Sequence, residues 1–157
     1  MEGTAYPTST IVAGYGKTQQ IVRQPFRTYF AQVNRLIQEA DSLLFVGYGF
    51  GDLHLNAAFS EVRDRRRATV VVDWADDCQD PLPFRSDSWT YNLFKTLPAN
   101  AHRMSKPGHT APASIDDLKA ANEFEVSTDP DYPLAVWYNG MLAACQNISK
   151  IRSYLTL

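Results

Sequence analysis

Glycines at alternate positions and two well-separated aspartates carry the most specific chemical pattern in the chain. Gly47-Tyr48-Gly49-Phe50-Gly51 runs directly into Asp52, then His54 and Asn56, and Asp73 lies 26 residues beyond Gly47. Such glycines let a backbone turn sharply and approach a bound molecule closely. A helix starting after Asp52 would aim free N–H groups and the positive end of its dipole at ligand oxygens. A carboxylate ending the next strand is placed to accept hydrogen bonds from ribose hydroxyls. The pattern departs from G-x-G-x-x-G because Asp52 stands at the third glycine and would repel a phosphate. Ribose contact therefore fits better than pyrophosphate contact. The same residues suit a tight strand-to-helix turn closed by a capping aspartate, and spacing alone leaves both readings open.

Other candidates are weaker. Gly14-Tyr15-Gly16-Lys17-Thr18 ends like a phosphate loop, but that motif needs a glycine where Ile11 stands, and Pro25 soon follows. His54, Asp52 and Asn56 sit two apart and face different sides of a helix, which argues against a metal triad. His102 and His109 fall in a stretch without periodicity and have no partner in sequence. Arg63-Asp64-Arg65-Arg66-Arg67 reads as a solvated helix end, where cations suit the dipole. No nucleophile–histidine or paired-carboxylate arrangement stands out, so no catalytic residue is assigned. Cys78 and Cys145 form no CxxC pair, which indicates neither structural zinc nor a disulfide framework.

The elements that must position the glycine turn are legible. Leu43–Val46 is a continuous apolar run, as in a strand buried on both faces and central in a parallel sheet. Asp52 caps an expected helix from Leu53 to about Arg65, with Leu55, Ala58, Phe59 and Val62 inward. Ala68–Asp73 reads as the next strand, completing a βαβ unit. Before it, Thr10–Ala13 is a strand candidate, and Pro25–Ala40 has the apolar spacing of an amphipathic helix. After Asp73, the pattern predicts a surface loop over Trp74–Arg85, a helix over Ser86–Leu97 and a loop over Pro98–Pro112. It then predicts a short helix from Ser114 to about Glu123, an amphipathic helix over Pro133–Asn147 and a terminal helix over Ile148–Leu157.

The chain has 157 residues, 45% of them apolar and 20% charged, within the ordinary range for a globular domain. A net charge of −2 argues against nucleic acid as the main partner. No apolar stretch approaches the ~20 residues that cross a bilayer. The first residues, Met-Glu-Gly-Thr, do not read as a secretory leader, and unpaired cysteines suit a reducing cytoplasm.

The stretch from Ile11 to Asp73 resembles the second half of a sirtuin-like NAD-binding domain of the bacterial, anti-phage defence type. The residues that carry this are Ile11-Val12-x-Gly14-x-Gly16-Lys17-Thr18, Pro25-Phe26-Arg27, and above all Ala40-Asp41-Ser42-Leu43-Leu44-Phe45-Val46-Gly47-Tyr48-Gly49-Phe50-Gly51-Asp52-x-His54-x-Asn56. Trp137-Tyr138-Asn139-Gly140 extends it. The resemblance implies that Gly47, Tyr48, Gly49, Phe50, Gly51, Asp52, His54 and Asn56 contact the nicotinamide-side ribose or the nicotinamide, and that Asp73 contacts the adenosine ribose. The implied ligand is NAD or ADP-ribose, and the implied activity is NAD hydrolysis. The family's opening Gly-Ala-Gly-x-Ser loop and its His-Gly base do not occur, nor does the paired CxxC zinc ribbon of the deacylases. The expected fold is therefore α/β: a partial Rossmann-like parallel sheet with helices on both faces. It forms one domain over 1–157, incomplete at its amino-terminal side, with a βαβ part over 7–75 and a mostly helical part over 86–157. An N-terminal segment or a partner chain would complete its site. The alternative is a non-catalytic interaction domain with a vestigial nucleotide crevice.

Overall fold

Phe26, Phe30, Val33 and Ile37 recur at helical spacing, and the computed structural model places them on α1 (Phe26–Glu39). The carbonyl of Pro25 accepts from Thr28 N and Tyr29 N, closing the first turn. The structure describes residues 22–76, 80–98 and 103–156. Thr10–Ala13 and the Gly14–Thr18 loop lie outside them. The chain divides into two compact units, Met1–Glu39 and Ala40–Leu157.

The second unit runs β1 (Ser42–Val46), α2 (Leu53–Ser60), β2 (Ala68–Val72), α3 (Ser88–Thr96), β3 (Met104–Ser105), α4 (Ile115–Ala120), β4 (Glu125–Ser127), β5 (Leu134–Trp137), α5 (Gly140–Gln146) and α6 (Ile148–Leu155). Its sheet has the order β1-β2-β5-β4-β3. β1, β2 and β5 are parallel, with Leu44 opposite Val70 and Val70 opposite Ala135. β4 joins β5 antiparallel, and β3 joins β4 antiparallel. The class is α/β as expected, with a mixed, partly parallel sheet.

Two-residue periodicity sends the side chains of β2 and β5 to two cores. Val71, Leu134 and Val136 pack with Phe45, Phe50, Leu93, Ile115 and Leu118 under α2, α3 and α4. Val70, Val72, Ala135 and Trp137 pack with Phe124, Ala144 and Ile151 under α5 and α6. Helices thus cover both faces. β2 is buried at every position, as a central parallel strand must be.

Several expectations are corrected. β1 is an edge of the described sheet rather than a central strand. Leu44 and Val46, on the α5–α6 face, remain 48% and 44% exposed. α2 stops at Ser60 instead of Arg65, because Val62 N, Arg63 N and Arg65 N take i−3 carbonyls as tight turns. The arginine run is not wholly solvated. Arg67 is 5% exposed and its guanidinium donates to Ala40 O and Val62 O, both at 3.3 Å.

Pro133–Asn147 is not one helix. Thr69 N donates to Pro133 O at 2.9 Å and starts Leu134–Trp137 as β5, and only the residues from Gly140 on are helical. Met104–Ser105 is a strand where a loop is expected, and Glu125–Ser127 is a strand in a stretch between two expected helices. Within Trp74–Arg85, Ala75 and Leu82 are buried against the sheet. The α3 helix, by contrast, appears as read, with Asp87 as its cap: the side chain accepts from Thr90 N at 2.7 Å.

Candidate functional site

At the carboxyl end of β1 the chain must reverse toward α2, and Gly47 makes the bend at φ +61°. That left-handed conformation favours glycine. Gly47 N donates to Val72 O at 3.0 Å, holding the turn against the end of β2. A Cβ at Gly47, Gly49 or Gly51 would meet no atom within 4 Å. The turn's outer side is therefore open space, while only Gly47 of the three needs glycine for its backbone.

Phe50 also has a positive φ, +51°, which is uncommon for a residue with a side chain. Its ring explains this. It is fully buried, with centroids 5.4 Å from Phe45, 4.8 Å from Tyr48 and 5.9 Å from Trp89. The backbone yields so that the ring can plug the core. Asn56 then locks the strained carbonyl: its Nδ2 donates to Phe50 O at 2.7 Å, and its Oδ1 accepts from the Tyr48 hydroxyl at 2.8 Å. Burial, with the Asp52 charge beside it, pushes the Tyr48 phenol up to about 12. Asp52 Oδ1 accepts from His54 N at 3.1 Å and Leu55 N at 3.3 Å as the α2 cap.

Of the nine residues named from the sequence, the structure brings all into one region at the carboxyl ends of β1 and β2. They divide by role. Phe50, Tyr48 and Asn56 form the frame of the turn, and Phe50 and Asn56 face inward. Asp52 caps α2. Gly47, Gly49 and Gly51 form its open surface, and His54 is half-buried in the first turn of α2.

Asp73 follows β2 and is half-buried. Its backbone N donates to Trp137 O, and its carbonyl accepts from Gly140 N, each at 2.9 Å. The end of β2 is thereby tied to the end of β5, so Asn139 and Gly140 join the same rim. Trp74 bridges Asn139 there. Both crossovers, β1 to β2 and β2 to β5, run over the α2–α4 face. The reversal of strand order that opens a crevice in doubly wound sheets does not occur among the described strands. What the rim offers is the strand ends themselves.

His109 does not reach this rim. It follows β3, at the opposite edge of the sheet, where its carbonyl accepts from Ser105 Oγ at 2.6 Å. His102 and Cys78 lie outside the described residues. Cys145 is exposed on α5. Among the described residues no three His, Cys, Asp or Glu side chains converge to hold a metal, and no helix is long and apolar enough to cross a membrane.

The sequence reading misses a buried polar pair on the α2–α4 side of the sheet. Glu125 on β4 is fully buried and accepts from the Tyr138 hydroxyl at 2.6 Å and from Leu82 N at 3.2 Å. Burial pushes its carboxyl up to about 7, against the opposing pull of Tyr138, Leu82 N and nearby Arg85. The alternation of Phe124 and Val126 with Glu123 and Glu125 is the signal that would place a strand there. A cavity of about 1340 Å³ lies at the other end of the parallel strands, lined in part by Ser42, Ala68, Pro133, Lys150 and Tyr154, and includes none of the nine residues.

Compared with protein-family models, curated proteins and solved structures, the chain matches none.

Proposed function

We propose that the rim formed by Gly47–Gly51, His54 and Asp73 binds the ribose portions of NAD or ADP-ribose. The chain then acts as the ribose-contacting part of a sirtuin-like NAD-hydrolysing module of bacterial, anti-phage defence type. The observation that supports it most is Gly47, whose left-handed backbone opens the turn beside the end of β2, two strand ends that carry the glycines and the acid together. Asp73 would accept hydrogen bonds from ribose hydroxyls, and the open side of Gly49 and Gly51 leaves room for the sugar. The proposal assigns the pyrophosphate loop and the base for nicotinamide release to another segment or a partner chain.

Calorimetric titration with ADP-ribose tests the reading. Charge-assisted hydrogen bonds of about 1.5–3 kcal/mol each predict at least tenfold weaker binding for Asp73→Ala and unchanged binding for Arg66→Ala, at the opposite strand ends. Equal affinities for the native chain and Asp73→Ala would remove the ribose acid from the site.

A second reading, an interaction domain with a vestigial crevice, draws support from the half-exposed Leu44 and Val46 on β1, which lies at the edge of the described sheet. Edge strands are ordinarily guarded by charge or covered. On that reading, ADP-ribose would not bind the native chain at all.

A further inference from the structure

Leu82 has no solvent exposure although it belongs to an irregular segment between β2 and α3, and it packs in one core with Phe50, Leu93 and Tyr138. The turn that carries it is bonded within itself: Phe84 N donates to Pro81 O at 2.9 Å, and Arg85 N to Leu82 O at 3.3 Å. Phe84, two residues on, is 65% exposed. Leu82 N ties the turn to the sheet by donating to Glu125 Oε1 at 3.2 Å. Lifting the turn from the core breaks that bond and unseats the Leu82 side chain, while the turn's internal bonds survive.

The tie ends on a buried pair of ionisable groups. Glu125 Oε2 also accepts from the Tyr138 hydroxyl at 2.6 Å, and neither side chain meets solvent. Val136 of β5 stands opposite Glu125 in the register, and Met104 of β3 and Ile115 and Leu118 of α4 share that core. The charged group near the carboxyl is Arg85, on the turn itself, which pairs with Asp87 at 2.7 Å and lies 5.0 Å from the centre of the Trp89 ring. Asp73 opposes ionisation of Tyr138. Burial outweighs the two donors and Arg85, and pushes the Glu125 carboxyl from the usual 4.5 up to about 7. A motion that lets water reach Glu125 relieves this burial, so it becomes easier once the proton has gone. Departure of Leu82 is such a motion, because it takes a side chain from the core and a donor from the carboxyl together.

We propose that the Pro81–Arg85 turn is a pH-sensitive flap, seated by Leu82 while Glu125 is protonated and lifted more often once Glu125 ionises. The seated form holds the proton more tightly than the lifted form. Opening is therefore rarest below pH 4.5, grows as pH rises and levels off above about 7. Amide hydrogen exchange on the whole chain tests this, with rates corrected for the intrinsic pH dependence of exchange. In the native protein the Leu82 amide is less protected than the Val71 amide of β2, and dilute urea does not accelerate its exchange, as a local opening requires. Its protection falls at least tenfold from pH 5 to pH 8. In Glu125→Gln, which keeps an acceptor for Leu82 N and Tyr138 but never ionises, that fall is absent. A Leu82 amide as protected as Val71 and equally sensitive to urea would overturn the flap, since Leu82 would then leave only with the whole fold. The same fall in Glu125→Gln as in the native chain would overturn the assignment of the switch to Glu125.

Discussion

Replacing Glu125 by glutamine should make the protein more stable above neutral pH and flatten its pH dependence. The carboxyl of Glu125 lies with no solvent exposure between β4 and Leu82, and its ionisation moves from the usual 4.5 up to about 7 because burial penalises the charge. The folded chain therefore holds this proton more tightly than the unfolded chain. The stability this confers is fully present below pH 4.5 and is lost as pH rises through about 7. A shift of this size corresponds to roughly 3 kcal/mol. The groups around it are accounted for. Tyr138 and Leu82 N donate to the carboxylate, and Arg85, which favours the charged form, is itself paired with Asp87 at 2.7 Å. Glutamine keeps an acceptor oxygen for Tyr138 and Leu82 but never ionises. Urea unfolding of both proteins from pH 5 to pH 8 measures the effect, and their difference cancels every other titrating group. The native chain should lose about 2.5 kcal/mol relative to Glu125→Gln across that range. Parallel profiles for the two proteins would show that Glu125 does not carry this proton.

Gly47→Ala should cost about 1–2 kcal/mol in chemical denaturation, since φ is +61° there. Gly49→Ala and Gly51→Ala, at ordinary φ with open space around them, should change stability by less than about 0.5 kcal/mol. Equal losses at all three positions would contradict the single left-handed turn. The chain alone should release no nicotinamide from NAD, because no described histidine besides His54 stands near the rim; sustained release abolished by His54→Ala, followed by chromatography, would assign the missing base to this chain.

The parts of the fold that were legible share one property: a local pattern with a single physical meaning. Asp52 before Leu53 announces a helix because a carboxylate can satisfy the free N–H groups of a first turn, and it does so. Ala68–Val72 announces a buried parallel strand because nothing polar but Thr69 interrupts it. Leu43–Val46 has the same composition and yet lies at the edge of the described sheet. Composition reports what a strand can tolerate on its faces, while its place in the sheet depends on which other segments pair with it. Pro133–Asn147 shows the complementary limit. Val136, Trp137, Met141, Leu142 and Cys145 fit a helical period when read together, but the period spans a strand and a helix joined at Asn139–Gly140, and the hydrogen bond from Thr69 to Pro133 that separates them is long-range.

The glycine turn was legible in its location and not in its division of labour. Alternating glycines and an aspartate placed the turn at the carboxyl end of β1, and the structure brings Asp73 to the neighbouring strand end. The sequence could not tell that Gly47 alone bends the backbone, or that Phe50 takes a positive φ to seat its ring. Nor could it tell that Asn56 spends its amide on Phe50 O and Tyr48. Those roles depend on a core assembled from Phe45, Phe59 and Trp89, residues spread over 45 positions. The consequence bears on the proposed ribose site. A turn whose frame is fixed from within by Tyr48, Phe50 and Asn56 needs no ligand to shape it, so its outward surface at Gly47, Gly49 and Gly51 is formed before anything binds. Binding at a preformed rim of this kind loses less to ordering than binding to a loop that must fold around its ligand.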